Sequence, residues 1–239
     1  MIVNSYQVVI MVRFYKSGIS GFDELTGKKK LGFPEKSIIF IYGPPKTGKT
    51  ILCYQIMFNL LENNGAGLYI SADCGLKEFK KRTSDFGWDI VPHMKNRNLY
   101  VIDLVSNLVI SQPYEQTNYK CSSIQKPADM IVKVGTGIRY VDDKSEGYIS
   151  IFDSLTTPFA FNPDYQVLKF LKSYIERIKE SKGISFIIHT KGTVDEKIED
   201  YLIELADYTI FMDGKNISID NLNSHKASYT IENHGINIF

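Results

Sequence analysis

Eight consecutive residues, Gly43-Pro44-Pro45-Lys46-Thr47-Gly48-Lys49-Thr50, fit the pattern G-x-x-x-x-G-K-[ST], in which a glycine-rich turn cradles phosphates. A triphosphate needs donors converging on its oxygens without bulky side chains in the way. Glycines therefore let backbone N–H groups face the anion where a helix begins. Lys49 would reach the terminal phosphates, and the Thr50 hydroxyl would ligate Mg2+, which prefers oxygen ligands and keeps several waters. With Ile51 in the first turn, residues 43–51 form the candidate nucleotide-binding set. The bland alternative is a Gly/Pro turn leading into a buried helix. Context favours the chemistry, because an apolar run of strand length (38–42) precedes the loop and one of helix length (51–61) follows it.

These residues need a scaffold that alternates strand and helix. Further strands are predicted at 68–71, 99–104, 148–152, 184–189 and 208–212. Between them, Leu76, Phe79, Thr83 and Phe86 share one helical face that stops at Gly87, and another helix is predicted over 128–140. Asn162-Pro163 reads as an N-cap with proline in the first turn. Val167, Leu168, Leu171, Tyr174, Ile175 and Ile178 then repeat at helical spacing up to Gly183, and Ile198, Tyr201, Leu202 and Leu205 mark one more helix. Such alternation predicts an α/β fold, a mostly parallel sheet with helices on both faces. From Lys215 onward, runs such as Ile217-Ser218-Ile219 and Tyr229-Thr230-Ile231 predict short antiparallel strands at the sheet edge. Residues 6–15 are predicted as a peripheral strand, Gly32-Phe33-Pro34 as a turn and 111–126 as a mobile loop. There is no internal repeat and no linker, so residues 1–239 are expected to form one domain.

Composition narrows the class. Among 239 residues, 44% are hydrophobic and 23% charged, as in a soluble globular protein. Lys+Arg 28 against Asp+Glu 27 gives a net charge of +1, so no global field draws the chain to nucleic acid or an anionic membrane. The run Lys28-Lys29-Lys30 is read as a solvated loop, with contact to an acidic partner as the alternative. Cys53, Cys74 and Cys121 are odd in number and widely spaced, which suits packing thiols in a reducing cytoplasm. No stretch approaches the roughly 18 to 20 apolar residues of a membrane span, and the N-terminus lacks the marks of a secretory signal. His93, His189, His225 and His234 show no metal-ligand spacing.

Several stretches resemble one family in order. Ser17-Gly18-Ile19-Ser20-Gly21-Phe22-Asp23-Glu24-Leu25 is similar to the opening of the KaiC ATPases and their archaeal relatives, within the RecA superfamily of P-loop NTPases. The phosphate loop follows as the Walker A motif, then Phe86-Gly87-Trp88-Asp89, Phe152-Asp153-Ser154-Leu155 and the stretch from Tyr229 to Phe239. The chain resembles a single KaiC-type domain rather than a doubled one. The resemblance implies an ATP site between subunits of a homo-oligomeric ring, often a hexamer, with Mg2+ held by Thr50 and by Asp153 at the end of the fourth strand. For Asp153 the alternative is a strand-end cap. Thr190 falls where relatives sense the terminal phosphate, with an edge-of-strand threonine as the alternative.

Three departures bear on hydrolysis. Relatives carry two adjacent glutamates after the second strand, one of which deprotonates the attacking water, whereas this chain has Asp73-Cys74. Aspartate is shorter by a methylene, and a shift of about 1 Å can cost of order a hundredfold in rate. Lys46 stands where the family often has glycine. Ile219-Asp220-Asn221 replaces the Lys-x-Arg that reaches a neighbour's phosphate, leaving His225 as a nearby candidate. The expectation is an ATP-binding oligomeric switch with slow turnover, Lys49 and Asp73 being catalytic, and an unidentified protein partner. The alternatives are a regulator or scaffold that binds ATP without cleaving it, and a DNA-binding recombinase paralogue.

Overall fold

Continuous apolar runs form strands here because both faces of the sheet are covered, so alternation of polar and apolar residues has no use. The computed structural model describes residues 12–26, 32–106, 116–220 and 225–239. In chain order these give β1 (Phe14–Tyr15), α1 (Phe22–Leu25), β2 (Phe33–Pro34), β3 (Ile38–Gly43), α2 (Lys49–Glu62), β4 (Ala66–Ser71), α3 (Leu76–Ser84), α4 (Val91–Lys95), β5 (Leu99–Asp103) and β6 (Tyr119–Cys121). There follow α5 (Pro127–Lys144), β7 (Tyr148–Asp153), α6 (Thr156–Phe161), α7 (Asp164–Lys179), β8 (Ile184–Thr190), α8 (Glu196–Glu204), β9 (Tyr208–Met212), β10 (Asn216–Asp220), β11 (His225–Glu232) and β12 (Gly235–Ile238).

The main sheet has ten strands in the order β12-β11-β10-β9-β3-β8-β7-β4-β5-β6. From β9 to β6 every pairing is parallel, and β10, β11 and β12 add on antiparallel, as the sequence predicts for the C-terminal edge. One apolar layer holds Leu52, Ile56 and Met57 of α2 against Ile39, Tyr69 and Ile151 of the sheet. The other holds Val134 and Ile138 of α5 and Phe170, Leu171 and Tyr174 of α7 against Leu68, Tyr100 and Phe152. The helix α2 that follows the loop is thus packed against one face of the sheet, with Leu52, Cys53, Ile56 and Met57 buried.

Three local expectations change. Residues 119–121, expected within a loop, form β6 at the sheet edge, in register with 101–103 of β5. The buried Asp103 carboxylate explains the attachment: it accepts from Tyr119 Oη (3.0 Å), from the Ser106 amide (2.8 Å) and from the Leu76 amide (3.0 Å), stitching β5, β6 and α3 together. Phe33–Pro34 is a short strand paired with Phe14–Tyr15 rather than a turn. Asn162 does not cap α7, whose cap is Pro163; its amide donates to the Pro158 and Ile124 carbonyls and closes α6 instead. The helices α4 and α6, of 5 and 6 residues, are too short to leave a periodic signal. Residues 6–11, 111–115 and the run Lys28–Lys30 lie outside the described residues.

The antiparallel edge reaches back to the phosphate loop. Tyr229 on β11 donates to the Thr47 carbonyl (2.5 Å) and accepts from the Gly214 amide (3.0 Å), and its side chain is buried. Removing the hydroxyl leaves two backbone groups without that partner, a cost of about 1–3 kcal/mol. Tyr229→Phe should lower stability by that amount in urea unfolding and loosen the loop; a midpoint shift below the equivalent of about 0.5 kcal/mol would show that the hydroxyl does not anchor it.

Candidate nucleotide site

The loop between β3 and α2 has a backbone that few residues can adopt. Gly43 has φ +146°, and a Cβ there would lie 2.1 Å from the Met212 carbonyl oxygen on β9. Gly48 has φ +89° and begins α2, with the Leu52 amide bonded to its carbonyl at 2.9 Å. Lys46 also sits in the left-handed region at φ +63°, which explains why glycine suits that position: a side chain there costs about 1–2 kcal/mol. Pro44, Pro45 and Lys46 face solvent, whereas Thr47 is buried and its Oγ1 donates to the Pro44 carbonyl at 3.1 Å.

Lys49 is buried and bends back over this loop. Its Nζ donates to the carbonyls of Gly43 (2.9 Å) and Pro44 (2.5 Å) and lies 3.4 Å from Thr47 Oγ1. Burial lowers its pKa to about 8, opposed by Asp153, so the ammonium persists at neutral pH among neutral oxygens. An anion would be a better partner. At the next position, Thr50 Oγ1 donates to Asp153 Oδ1 at 3.1 Å, and Tyr69 Oη donates to Asp153 Oδ2 at 3.0 Å. Asp153 ends β7 and is 2% exposed. Burial, and secondarily the charge of Asp73, push its pKa up to about 6, against the two hydroxyl donors that favour the anion.

Asp73, just beyond β4, faces the same space. Its Oδ2 accepts from Ser154 Oγ (3.0 Å) and its Oδ1 from Thr157 Oγ1. Thr190 closes β8, and its amide donates to Thr156 Oγ1 at 3.0 Å. A cavity of about 380 Å³, within the range of small-molecule pockets, is lined by residues 45–51 and by Asp73, Asp153, Ser154, Ile188, Thr190 and Ile231. Candidate residues more than a hundred positions apart in the chain thus share one space, and of the loop only Gly43 and Pro44 are not part of its lining. His225 is elsewhere, on β11 opposite Ile219, and Asn221 lies outside the described residues.

The donor set fits both halves of Mg-ATP. Thr50 and Asp153 offer the hard oxygen ligands that Mg2+ selects, and Lys49 with the first turn of α2 offers donors to phosphate. Sequence reasoning missed Ser154, Thr156 and Thr157 as a hydroxyl row after β7, and Tyr69 beneath Asp153. The row was visible as Ser-Leu-Thr-Thr after an acidic strand end; the tyrosine bond depends on strand order and was not.

Comparison with known proteins sets the class first. The fold is RecA-like, and a KaiC-like protein of Pyrococcus horikoshii superposes with a TM-score of 0.71, covering 96% of this chain and 100% of its own at 17% identity, a likeness of fold alone. The family model described as "ATPase: KaiC" matches residues 15–232, and the chain belongs to that family of P-loop ATPases. A UPF0273 protein of Thermotoga maritima is 26% identical over 187 residues, 78% of this chain and 73% of its own length. The archaeal flagellar ATP-binding protein FlaH of Sulfolobus acidocaldarius is 25% identical over 188 residues, 79% of this chain and 75% of its own.

The raised Asp153 pKa has a stability consequence with a definite sign. Between the unfolded value of 3.8 and about 6 the folded state binds the extra proton, so stability falls as pH rises through that window. Asp153→Asn should therefore stabilise the nucleotide-free protein at pH 8 by roughly 1–3 kcal/mol, with the gain fading as pH falls from 6 to 4. Denaturant titrations of both proteins at pH 8 and pH 4.5 read this, and a difference independent of pH would contradict it.

Proposed function

We propose that residues 1–239 act as one Mg-ATP-binding domain, an oligomeric switch that turns ATP over slowly in the cytoplasm and whose nucleotide state is read by a protein partner. The observation that carries this is the contact of Thr50 with the Asp153 carboxylate at the first turn of α2, beside a lysine held by neutral carbonyls. When bound, Mg2+ would supply charge neutralisation at the terminal phosphates. Lys49 would leave the Gly43 and Pro44 carbonyls for phosphate oxygens, Thr190 would sit at the far wall, and Asp73 would orient the attacking water and take its proton. Membership of a family whose members often oligomerise supports a homo-oligomeric ring, with a hexamer as the form to test. No helix among the described residues is long and apolar enough to cross a membrane.

A second reading has an observation of its own. Both oxygens of Asp73 already accept hydroxyl hydrogen bonds, from Ser154 and Thr157, which favours a protein that holds ATP without cleaving it. Thermal unfolding with ATP and Mg2+ separates the readings from failure of both. Saturation at about 100 times the dissociation constant should add about 2.7 kcal/mol of stability, and Lys49→Ala should abolish the gain. Phosphate release from the wild type that exceeds that of Asp73→Asn by at least tenfold supports slow hydrolysis through Asp73, and ATP-dependent stabilisation with wild-type release no faster than that of Lys49→Ala supports the holding role. Absence of any ATP-dependent shift would remove both.

A further inference from the structure

Beneath Asp153 lies a buried row of hydroxyls that the phosphate loop does not require. Tyr69, the fourth residue of β4, is fully buried, with its ring stacked on Phe79 (centroids 3.9 Å apart, planes at 20°) and met by the Tyr54 ring at 5.6 Å and 72°. Its Oη lies 3.0 Å from Asp153 Oδ2 and 2.8 Å from Tyr54 Oη. A phenol has one proton to give, and an ionised carboxylate can only accept. The order of donation follows: Tyr54 donates to Tyr69, and Tyr69 donates to Asp153.

We propose that Tyr69 is a positioning residue for the Mg2+ ligand Asp153: it occupies Oδ2 from below, so that Oδ1, beside Thr50, is the oxygen presented to the metal. This rests on the nucleotide site described above. Packing alone does not call for the hydroxyl, because a phenylalanine ring would stack on Phe79 equally well. What the hydroxyl adds is one charge-assisted bond, in a place too buried for water to substitute. Hydrogen bonds that orient a metal's ligand typically carry 10–100-fold in metal affinity.

The test measures metal dependence without turnover. Binding of a fluorescent, non-hydrolysed ATP analogue is titrated with Mg2+ in the wild type, Tyr69→Phe and Tyr54→Phe. Tyr69→Phe should raise the half-saturating Mg2+ concentration 10–100-fold and leave metal-free analogue binding within about twofold. Tyr54→Phe, which keeps the direct bond and removes only its polarising donor, should raise it by a smaller factor, about 2–5-fold. A tyrosine with a merely structural role would lower the unfolding temperature of both variants without moving the Mg2+ midpoint, and that result overturns the proposal. Should Tyr69→Phe fail to fold, an unmoved midpoint in Tyr54→Phe would overturn it equally. Analogue binding that is lost in Lys49→Ala but indifferent to Mg2+ in the wild type sinks the metal role alone; no analogue binding at all sinks the nucleotide site itself.

Discussion

The architecture depends on keeping one carboxylate, that of Asp153, ionisable while it is almost fully buried on the wall of the cavity. An unpaired charge there would cost several kcal/mol, and the fold limits this with two hydroxyl donors, Thr50 from the helix side and Tyr69 from the neighbouring strand. The compensation is incomplete, since the pKa still stands at about 6. A residual electrostatic cost in the ligand-free state is what a cation site needs: the carboxylate is stabilised further only when a positive charge arrives. The sheet order serves this arrangement, because β7 lies between β8 and β4, which places Asp153 between Thr190 on one side and Asp73 on the other.

The same balance runs through the loop. Gly43 occupies a place where any Cβ would meet the Met212 carbonyl, Lys46 adopts a left-handed conformation, and the Lys49 ammonium is held by backbone oxygens. These costs are borne by the surroundings: α2 is packed on the sheet along its length, and Tyr229 from the antiparallel edge ties down the Thr47 carbonyl. The C-terminal strands therefore do more than extend the sheet. They brace the turn whose strained backbone faces the nucleotide cavity, and Ile231 of β11 contributes to its wall.

Much of this was legible in the residues. The strands β3, β4, β5, β7, β8 and β9 announce themselves as short, mainly apolar runs because burial on both faces leaves few polar interruptions, and the loop fits a known phosphate-binding pattern. What the sequence concealed shares a physical origin. β6 carries three residues, too few for a period, and is held by the side chain of Asp103 rather than by its own pattern. Asn162 has cap chemistry, but Pro163 fits the start of α7, which leaves the amide to close α6. Tyr69 and Asp153 are 84 positions apart, and only the adjacency of β4 and β7 brings the phenol beneath the carboxylate. The resemblance to the KaiC family pointed to Asp153 and Asp73, yet it could not show that Ser154 and Thr157 would hold the latter.

That hold bears on what the site is suited to do. Asp73 is held by the hydroxyls of Ser154, just after β7, and Thr157 of α6, while its neighbour Cys74 is buried with its carbonyl accepting from Ser71 Oγ at 2.5 Å. A water-activating base works best when it is free to meet the water at hydrogen-bond distance. On the proposed reading, Lys49, Thr50 and Asp153 would recognise a metal-bound triphosphate, and Asp73, which would break it, is held by two hydroxyls. Binding and cleavage would then draw on different residues in this pocket, so a chain of this kind could retain the first while the second slows, which is the property a nucleotide-dependent switch requires and an ATP-driven motor does not.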